Sequence, residues 1–166
     1  MNPIKTIEVD NLKYQLNDEK KTAGVAGYVK APEEIFIPRS IIYESQEYRV
    51  TEILKRSFYR SLKLKYVKFA DDSEIQIIGK KSFYQTSLQT ISIPTQLKKI
   101  CEKAFGKCIS LTSVEIPDNS EIQSIGRKAF YNSTIESIII PSTVKELQNG
   151  WCESTKNLVN VNFSGN

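Results

Sequence analysis

Histidine is absent from the 166 residues of this chain. That removes Ser-His and Cys-His nucleophile pairs and every histidine-bearing metal site. Cysteine is scarce, at Cys101, Cys108 and Cys152, odd in number and without CxxC spacing. Neither a zinc site nor a closed disulfide framework follows from that pattern. Cys108 reads as a small core residue and the other two as half-buried, with a Cys101–Cys108 bridge as the open alternative. Long apolar runs are missing too. The longest, IESIIIP at 135–141, is far short of the ~18 residues of a membrane helix. The start, MNPIKTIEV, has no apolar segment of a secretory signal. GKKS at 79–82 imitates only the end of a phosphate-binding loop, since no glycine-rich run precedes it. No catalytic residue, metal ligand or cofactor is therefore assigned. The net charge of +4 comes with no nucleic-acid reading motif, so nucleic acid is not an expected partner.

What the chain does have is repetition. ISIP at 91–94, VEIP at 114–117 and IIIP at 138–141 are short apolar strands ending in proline, and VKFA at 67–70 and VNFS at 161–164 are looser copies. Their last residues fall 24, 23, 24 and 23 apart. An aromatic (Phe58, Phe83, Phe105, Phe130, Trp151) precedes each strand by 8–10 residues. Two markers keeping one period define a repeat architecture. DDSE at 71–74 and DNSE at 118–121 lengthen alternate units, which points to a superperiod of about 47 residues.

The unit has a physical reading. In TQLKKICEKAFGKCISLTSVEIP (95–117), Val114, Glu115 and Ile116 alternate as a half-buried strand does. Proline ends the strand because it has no N–H to give. Pairs such as Leu97/Ile100 and Ile122/Ile125, then the small-residue–Phe step, supply the rest of the apolar face. One unit cannot bury these residues alone; stacked units can, with strands ~4.8 Å apart and apolar columns inside. The expected fold is a β-rich solenoid with a parallel sheet on one face.

LTSVEIPDNSEIQSIGRKAFYN at 111–132 resembles the BspA-like class of leucine-rich repeats, with its IP and AF signatures and a Cys before the strand. Cys108 fits that Cys position, whereas Thr86 and Ser133 depart from it. GWCESTKNL at 150–158 is similar to protozoan members of the class. The resemblance covers about residues 35–166. It implies a short right-handed leucine-rich-repeat solenoid, a non-catalytic binding role, and a cell-surface or extracellular setting with adhesion to host matrix or cell-surface proteins.

Taken in order, residues 1–33 read as an N-terminal β cap. IEVDNLKYQL forms a hairpin about Asp10-Asn11, NDEKK is a turn and TAGVAGYVK is a third strand. Residues 34–166 hold about five repeat units, the first interrupted by a hairpin insertion at 41–50. The last strand, VNF, leaves an open edge that invites self-association.

Two exposed columns are the candidate sites. The outward strand positions give Tyr66, Thr90, Ser113, Ser137 and Asn160, then Lys68, Ser92, Glu115, Ile139 and Asn162. This mixture suits a protein partner, with Tyr66 and Ile139 as its apolar points. Arg56, Lys81, Lys103 and Lys128 precede the aromatics by two residues and form a basic ladder. That ladder is either a rim covering the core edge or a strip for a polyanion or glycan. An intracellular scaffold or self-assembling repeat protein is the alternative to a surface-binding module.

Overall fold

Two-residue turns with both φ angles positive close two of the chain's hairpins, at Asp10-Asn11 (φ 47° and 68°) and Glu44-Ser45 (48° and 64°). Such turns match the twist of paired antiparallel strands. A computed structural model describes residues 3–165. The first hairpin joins β1 (Lys5–Val9) to β2 (Leu12–Asn17), which pairs antiparallel with β3 (Thr22–Tyr28). β4 (Glu34–Ile37) follows. The Glu44-Ser45 turn then joins β5 (Ser40–Tyr43) to β6 (Gln46–Ile53). The meander expected at the N-terminus and the inserted hairpin are both present.

From β6 onward the chain winds as a solenoid, with no helix among the described residues. Each turn contributes a longer and a shorter strand: β7 (Tyr66–Phe69) and β8 (Ile77–Ile78), β9 (Thr90–Ser92) and β10 (Lys99–Ile100), β11 (Ser113–Glu115) and β12 (Ser124–Ile125), β13 (Ser137–Pro141) and β14 (Glu146–Leu147). β15 (Asn160–Ser164) is the last. With β4 counted, the longer strands mark six turns, one beyond the five units read from the aromatic markers.

The expected parallel sheet is there, but so is a second. The shorter strands form their own parallel ladder, continuous with the N-terminal meander in the order β1-β2-β3-β6-β8-β10-β12-β14. The IxxI pairs carry this ladder: its inward residues Ile53, Ile78, Ile100 and Ile125 are fully buried. The sequence places Ile100 and Ile125 in the apolar face without giving them a sheet.

Apart from β4 and β7, which pair at four positions across the inserted hairpin, the longer strands pair fully where the step between units is short. β9 and β11 share three paired positions and β13 and β15 share five. Across the longer steps the ladder opens. β7 meets β9 only at Tyr66–Thr90, and β13 pairs with β15 but not with β11. The extra residue of the long units therefore splays the ladder every second turn. In those units Ser73 and Ser120 accept the backbone N–H of Ile75 and Ile122 at 3.3 and 3.2 Å, holding the longer bend.

Phenylalanine rings stack through the interior. Phe58, Phe83, Phe105 and Phe130 are 5.2, 5.3 and 5.4 Å apart between ring centroids and nearly parallel, with Tyr28 at 6.3 Å from Phe58. Each fully buried ring contributes roughly 1.5–3 kcal/mol from burial. The segment around each ring is bonded to the next turn even without strand geometry: Phe58, Phe83 and Phe105 donate to the carbonyls of Ser82, Ala104 and Ala129 at 2.7, 2.8 and 2.8 Å.

The last turn corrects the reading of Trp151 as the fifth member of the aromatic column. Phe130 donates to the Trp151 carbonyl at 2.8 Å and Asn132 to that of Glu153 at 2.9 Å. Trp151 thus occupies the position of Ala129, and Cys152 that of Phe130. The column members are then Phe58, Phe83, Phe105, Phe130 and Cys152, with steps of 25, 22, 25 and 22. This is a strict two-unit superperiod. It also places glycine in alternate turns, at Gly79 and Gly126. A Cβ there would lie 2.6 Å from the Ile53 carbonyl oxygen and 2.7 Å from the Cys101 carbonyl carbon. Only glycine lets the backbones nest so closely.

Candidate protein-interaction face and basic column

All ten residues expected on the strand face are exposed. Pairing sets Tyr66, Thr90 and Ser113 side by side, with Ser92 beside Glu115, and in a separate pair of strands it sets Ser137 and Ile139 beside Asn160 and Asn162; Lys68 lies two residues beyond Tyr66 on the same face of β7. The alternation within each strand dictates the exposure: Val67, Ile91, Val114 and Ile138 point inward and their neighbours therefore point out. The face extends one strand further than the sequence reading took it. Glu34 pairs with Tyr66, and Phe36 with Lys68. Phe36 is 54% exposed, more than Tyr66 at 41% or Ile139 at 48%. EIFIP carried the same alternation, so this signal was available in the sequence.

Polar neighbours fix part of the face. The Tyr66 hydroxyl donates to Gln89 Oε1 at 3.0 Å, and the Ser92 hydroxyl to Glu115 Oε2 at 2.9 Å. Where β7 and β9 splay, a cleft of about 390 Å³ opens between them, lined by Tyr66, Lys68, Asp71, Thr90, Ser92 and Thr95 among others.

The basic column has a distinctive backbone. Arg56, Lys81, Lys103 and Lys128 all have positive φ, at 59°, 53°, 54° and 54°. Four residues on, Arg60, Gln85, Lys107 and Asn132 repeat this, at 58°, 58°, 55° and 53°. Left-handed backbone disfavours β-branched residues most strongly, and no Val, Ile or Thr stands at these positions. Three of the four cations lie over tyrosines of their own turn: Arg56 over Tyr59 at 4.2 Å, Lys81 over Tyr84 at 5.6 Å and Lys128 over Tyr131 at 5.1 Å. Lys103 has Gly106 at the tyrosine's position. The Tyr84 ring fills that space, so a Cβ on Gly106 would come within 2.9 Å of it.

Carboxylates interleave with this column. Lys128 Nζ is 3.5 Å from Glu153, and the adjacent Lys80 is 2.8 Å from Glu102. The hydrogen bond from Lys80 holds the Glu102 carboxyl below the usual carboxylate range.

Cys101 and Cys152 are half-buried, Cys108 is buried, and all three thiols are free, so the Cys101–Cys108 bridge is not formed. The Cys108 thiol donates to the Phe83 carbonyl at 3.0 Å, and burial pushes its pKa up to about 11. Among the described residues no group of three or more His, Cys, Asp or Glu could hold a metal. No helix among them is long and apolar enough to cross a membrane.

The profile described as BspA type leucine-rich repeat region, in six copies, matches residues 76–166. The chain belongs to the BspA-type leucine-rich repeat family. No curated protein sequence matches this family member significantly. Among solved structures, a leucine-rich repeat protein from Bacteroides ovatus superposes with a TM-score of 0.84 at 26% identity, covering 94% of this chain and 40% of that one. The T. pallidum leucine-rich repeat protein gives 0.79 at 22% identity, covering 95% and 82%. The pneumococcal vaccine antigen PcpA gives 0.78 at 21%, covering 96% and 50%. This BspA-type chain thus spans less than half the length of the Bacteroides protein. A leucine-rich repeat of this type is a protein-interaction scaffold.

Proposed function

We propose that the chain is a non-catalytic module that binds a protein partner through its strand face, in the setting of surface adhesion to host matrix or cell-surface proteins. The observation that carries this is the exposed strand face from Glu34 and Phe36 to Asn160 and Asn162. Within it Phe36, Tyr66 and Ile139 expose apolar surface that the core does not use. Exposed apolar points among small polar residues are the composition of a contact surface. The family and the description of PcpA as a vaccine antigen favour a surface setting. In this reading residues 1–33 cap the repeats of 34–166, since β3 pairs parallel with β6 and closes the ladder.

The rim reading of Arg56, Lys81, Lys103 and Lys128 is preferred to a polyanion strip. Three of these cations lie on tyrosines, and Glu153 and Glu102 offset charge along the column. Labelling of intact cells with a membrane-impermeant reagent tests the setting; absence of label in intact cells and labelling after lysis would favour an intracellular scaffold. Tyr66→Ala with Ile139→Glu tests the face. A partner captured from a surface fraction by the wild type is lost by the double variant while the melting temperature stays put. Unchanged capture would move the interface elsewhere.

A further inference from the structure

β4 is the free edge of the sheet β11-β9-β7-β4. The Glu33 carbonyl accepts from Lys65 at 2.8 Å and the Ile37 carbonyl from Ala70 at 3.0 Å. Residues 33, 35 and 37 thus turn their backbone groups toward β7. Alternation along the strand then sends the N–H and C=O of Glu34 and Phe36 to the opposite edge. Two donors and two acceptors stand there in strand geometry, and β7 is the strand that β4 pairs with. Edges of this kind are usually covered or blunted.

Beside this edge lies a groove of about 500 Å³, between β4 and the β1–β2 hairpin, with Ile41 and Ile42 of β5 at its end. Leu12, Tyr14 and Ile35 are buried in its floor, while Phe36 and Ile42 are 54% and 64% exposed on its rim. The hairpin wall is held in place. The Asn11 side chain accepts from the Lys30 N–H at 2.8 Å and donates to the Lys30 carbonyl at 2.9 Å. The charged residues lining the groove are Asp10 and Glu34, with no Lys or Arg among the lining residues. On a chain of net charge +4, this is a local reversal of sign.

We infer that this groove takes an extended segment of a partner protein by β-strand addition along β4, with apolar side chains alternating with lysine or arginine. Main-chain bonds to Glu34 and Phe36 supply affinity, and alternate side chains supply selectivity. Glu34 and Phe36 point to the same side of β4, so the cationic residues stand on that side, selected by Glu34 and Asp10, and the apolar ones turn to the floor at Leu12, Tyr14 and Ile35. A four-residue edge matches a segment of about four to six residues at ~3.3 Å each. A second copy of this chain fits less well. Of its free edge strands, β15 reads NVNFS and brings no cation, and β1 reads KTIEV, with its one cation, Lys5, 3.4 Å from Glu44 and a carboxylate at Glu8.

The probes are fluorescein-labelled heptapeptides KVKVKVK and EVEVEVE, read by anisotropy on the whole chain. KVKVKVK binds at least tenfold more tightly than EVEVEVE, and Asp10→Lys with Glu34→Lys reverses the order. Phe36→Pro deletes one outward N–H without touching the bonds to β7, and abolishes binding with the melting temperature retained. Should that variant not fold, amide exchange on the wild type decides: KVKVKVK slows the Phe36 amide. Equal binding of both peptides, full binding by folded Phe36→Pro, or an unprotected Phe36 amide overturns the proposal. So does a dimer in sedimentation that Phe36→Pro dissolves, since the occupant would then be a second copy. Tyr66→Ala with Ile139→Glu leaves peptide binding intact, so failure here is distinct from failure of the strand-face reading.

Discussion

The indole of Trp151 meets the ring of Phe130 edge-on, at 6.4 Å between centroids and 86° between planes. It does so from the backbone position that Ala129 fills one turn earlier, while Cys152 stands in line with the phenylalanines. The parallel ring stack therefore ends at Phe130, and a perpendicular half-buried ring covers it.

Removing a stacked ring and removing the covering ring should differ in size and in reach. Phe105→Ala opens a cavity in the fully buried column and should cost about 3–5 kcal/mol. Trp151→Ala loses a partly buried ring and one edge-to-face pair, about 1–3 kcal/mol. Because each turn contacts only its neighbours, the second change should act locally. Urea unfolding gives the totals. Hydrogen exchange should show faster opening of β15 in Trp151→Ala, with the amides of β8 and β10 still protected.

The left-handed positions predict the opposite sign. Gln85 has φ 58°, a conformation that costs a non-glycine residue roughly 1–2 kcal/mol. Gln85→Gly removes that strain but frees the unfolded chain by about 0.5–1 kcal/mol. The expected net is a gain of up to about 1 kcal/mol. Gln85→Val adds a branched Cβ at the same φ and should lose about 1–2 kcal/mol. Thermal melts of the two variants should move to opposite sides of the wild type.

The strand period and the aromatic column are legible in the sequence because each residue there has one task. Val114, Ile116 and Phe105 only have to be apolar and inward. The exposed face follows from the same alternation, which is why Tyr66 through Asn162 could be named. The second ladder is harder to see. Its strands are two residues long, and Ile77–Ile78 or Lys99–Ile100 shows no alternation to count. The register of the last turn was hidden by a size cue. Trp151 is the only large aromatic near position 152, and the 25/22 superperiod that points to Cys152 is visible only once the hydrogen bonds of Asn132 and Phe130 fix the register. The groove beside β4 joins residues 9–14 to 34–42, and no local pattern signals that two such segments will flank an unpaired edge.

Three residues beyond each member of the column lies a small side chain: Ser61, Thr86, Cys108, Ser133 and Thr155. Cys108 reaches the Phe83 carbonyl at 3.0 Å, whereas the Ser61 and Ser133 hydroxyls are buried with no hydrogen-bond partner. An orphaned buried hydroxyl costs about 1–3 kcal/mol. Ser133→Cys puts a less polar group with a longer bond in its place, and the Phe105 carbonyl is the counterpart of that of Phe83. A stabilisation of about 1 kcal/mol is expected, or about 2–4 °C in melting temperature. A fall in melting temperature would mean that the site is too tight for sulfur.

Glu52 gives the pH dependence. It lies on β6 beside the buried Ile53, and burial raises its carboxyl pKa above the usual carboxylate range. The native state therefore holds this proton more tightly than the unfolded chain does. Its contribution to stability is fully present below the unfolded pKa, about 4.3. It is lost as pH rises through the elevated native value, because ionised Glu52 is less well solvated when folded. Glu52→Gln keeps the shape and removes the charge. At neutral pH the variant should melt above the wild type. At about pH 3, where Glu52 is protonated in both states, the difference should close. A gain that persists unchanged at acid pH would trace it to packing or to Arg49 in the same cleft, rather than to the cost of burying a carboxylate.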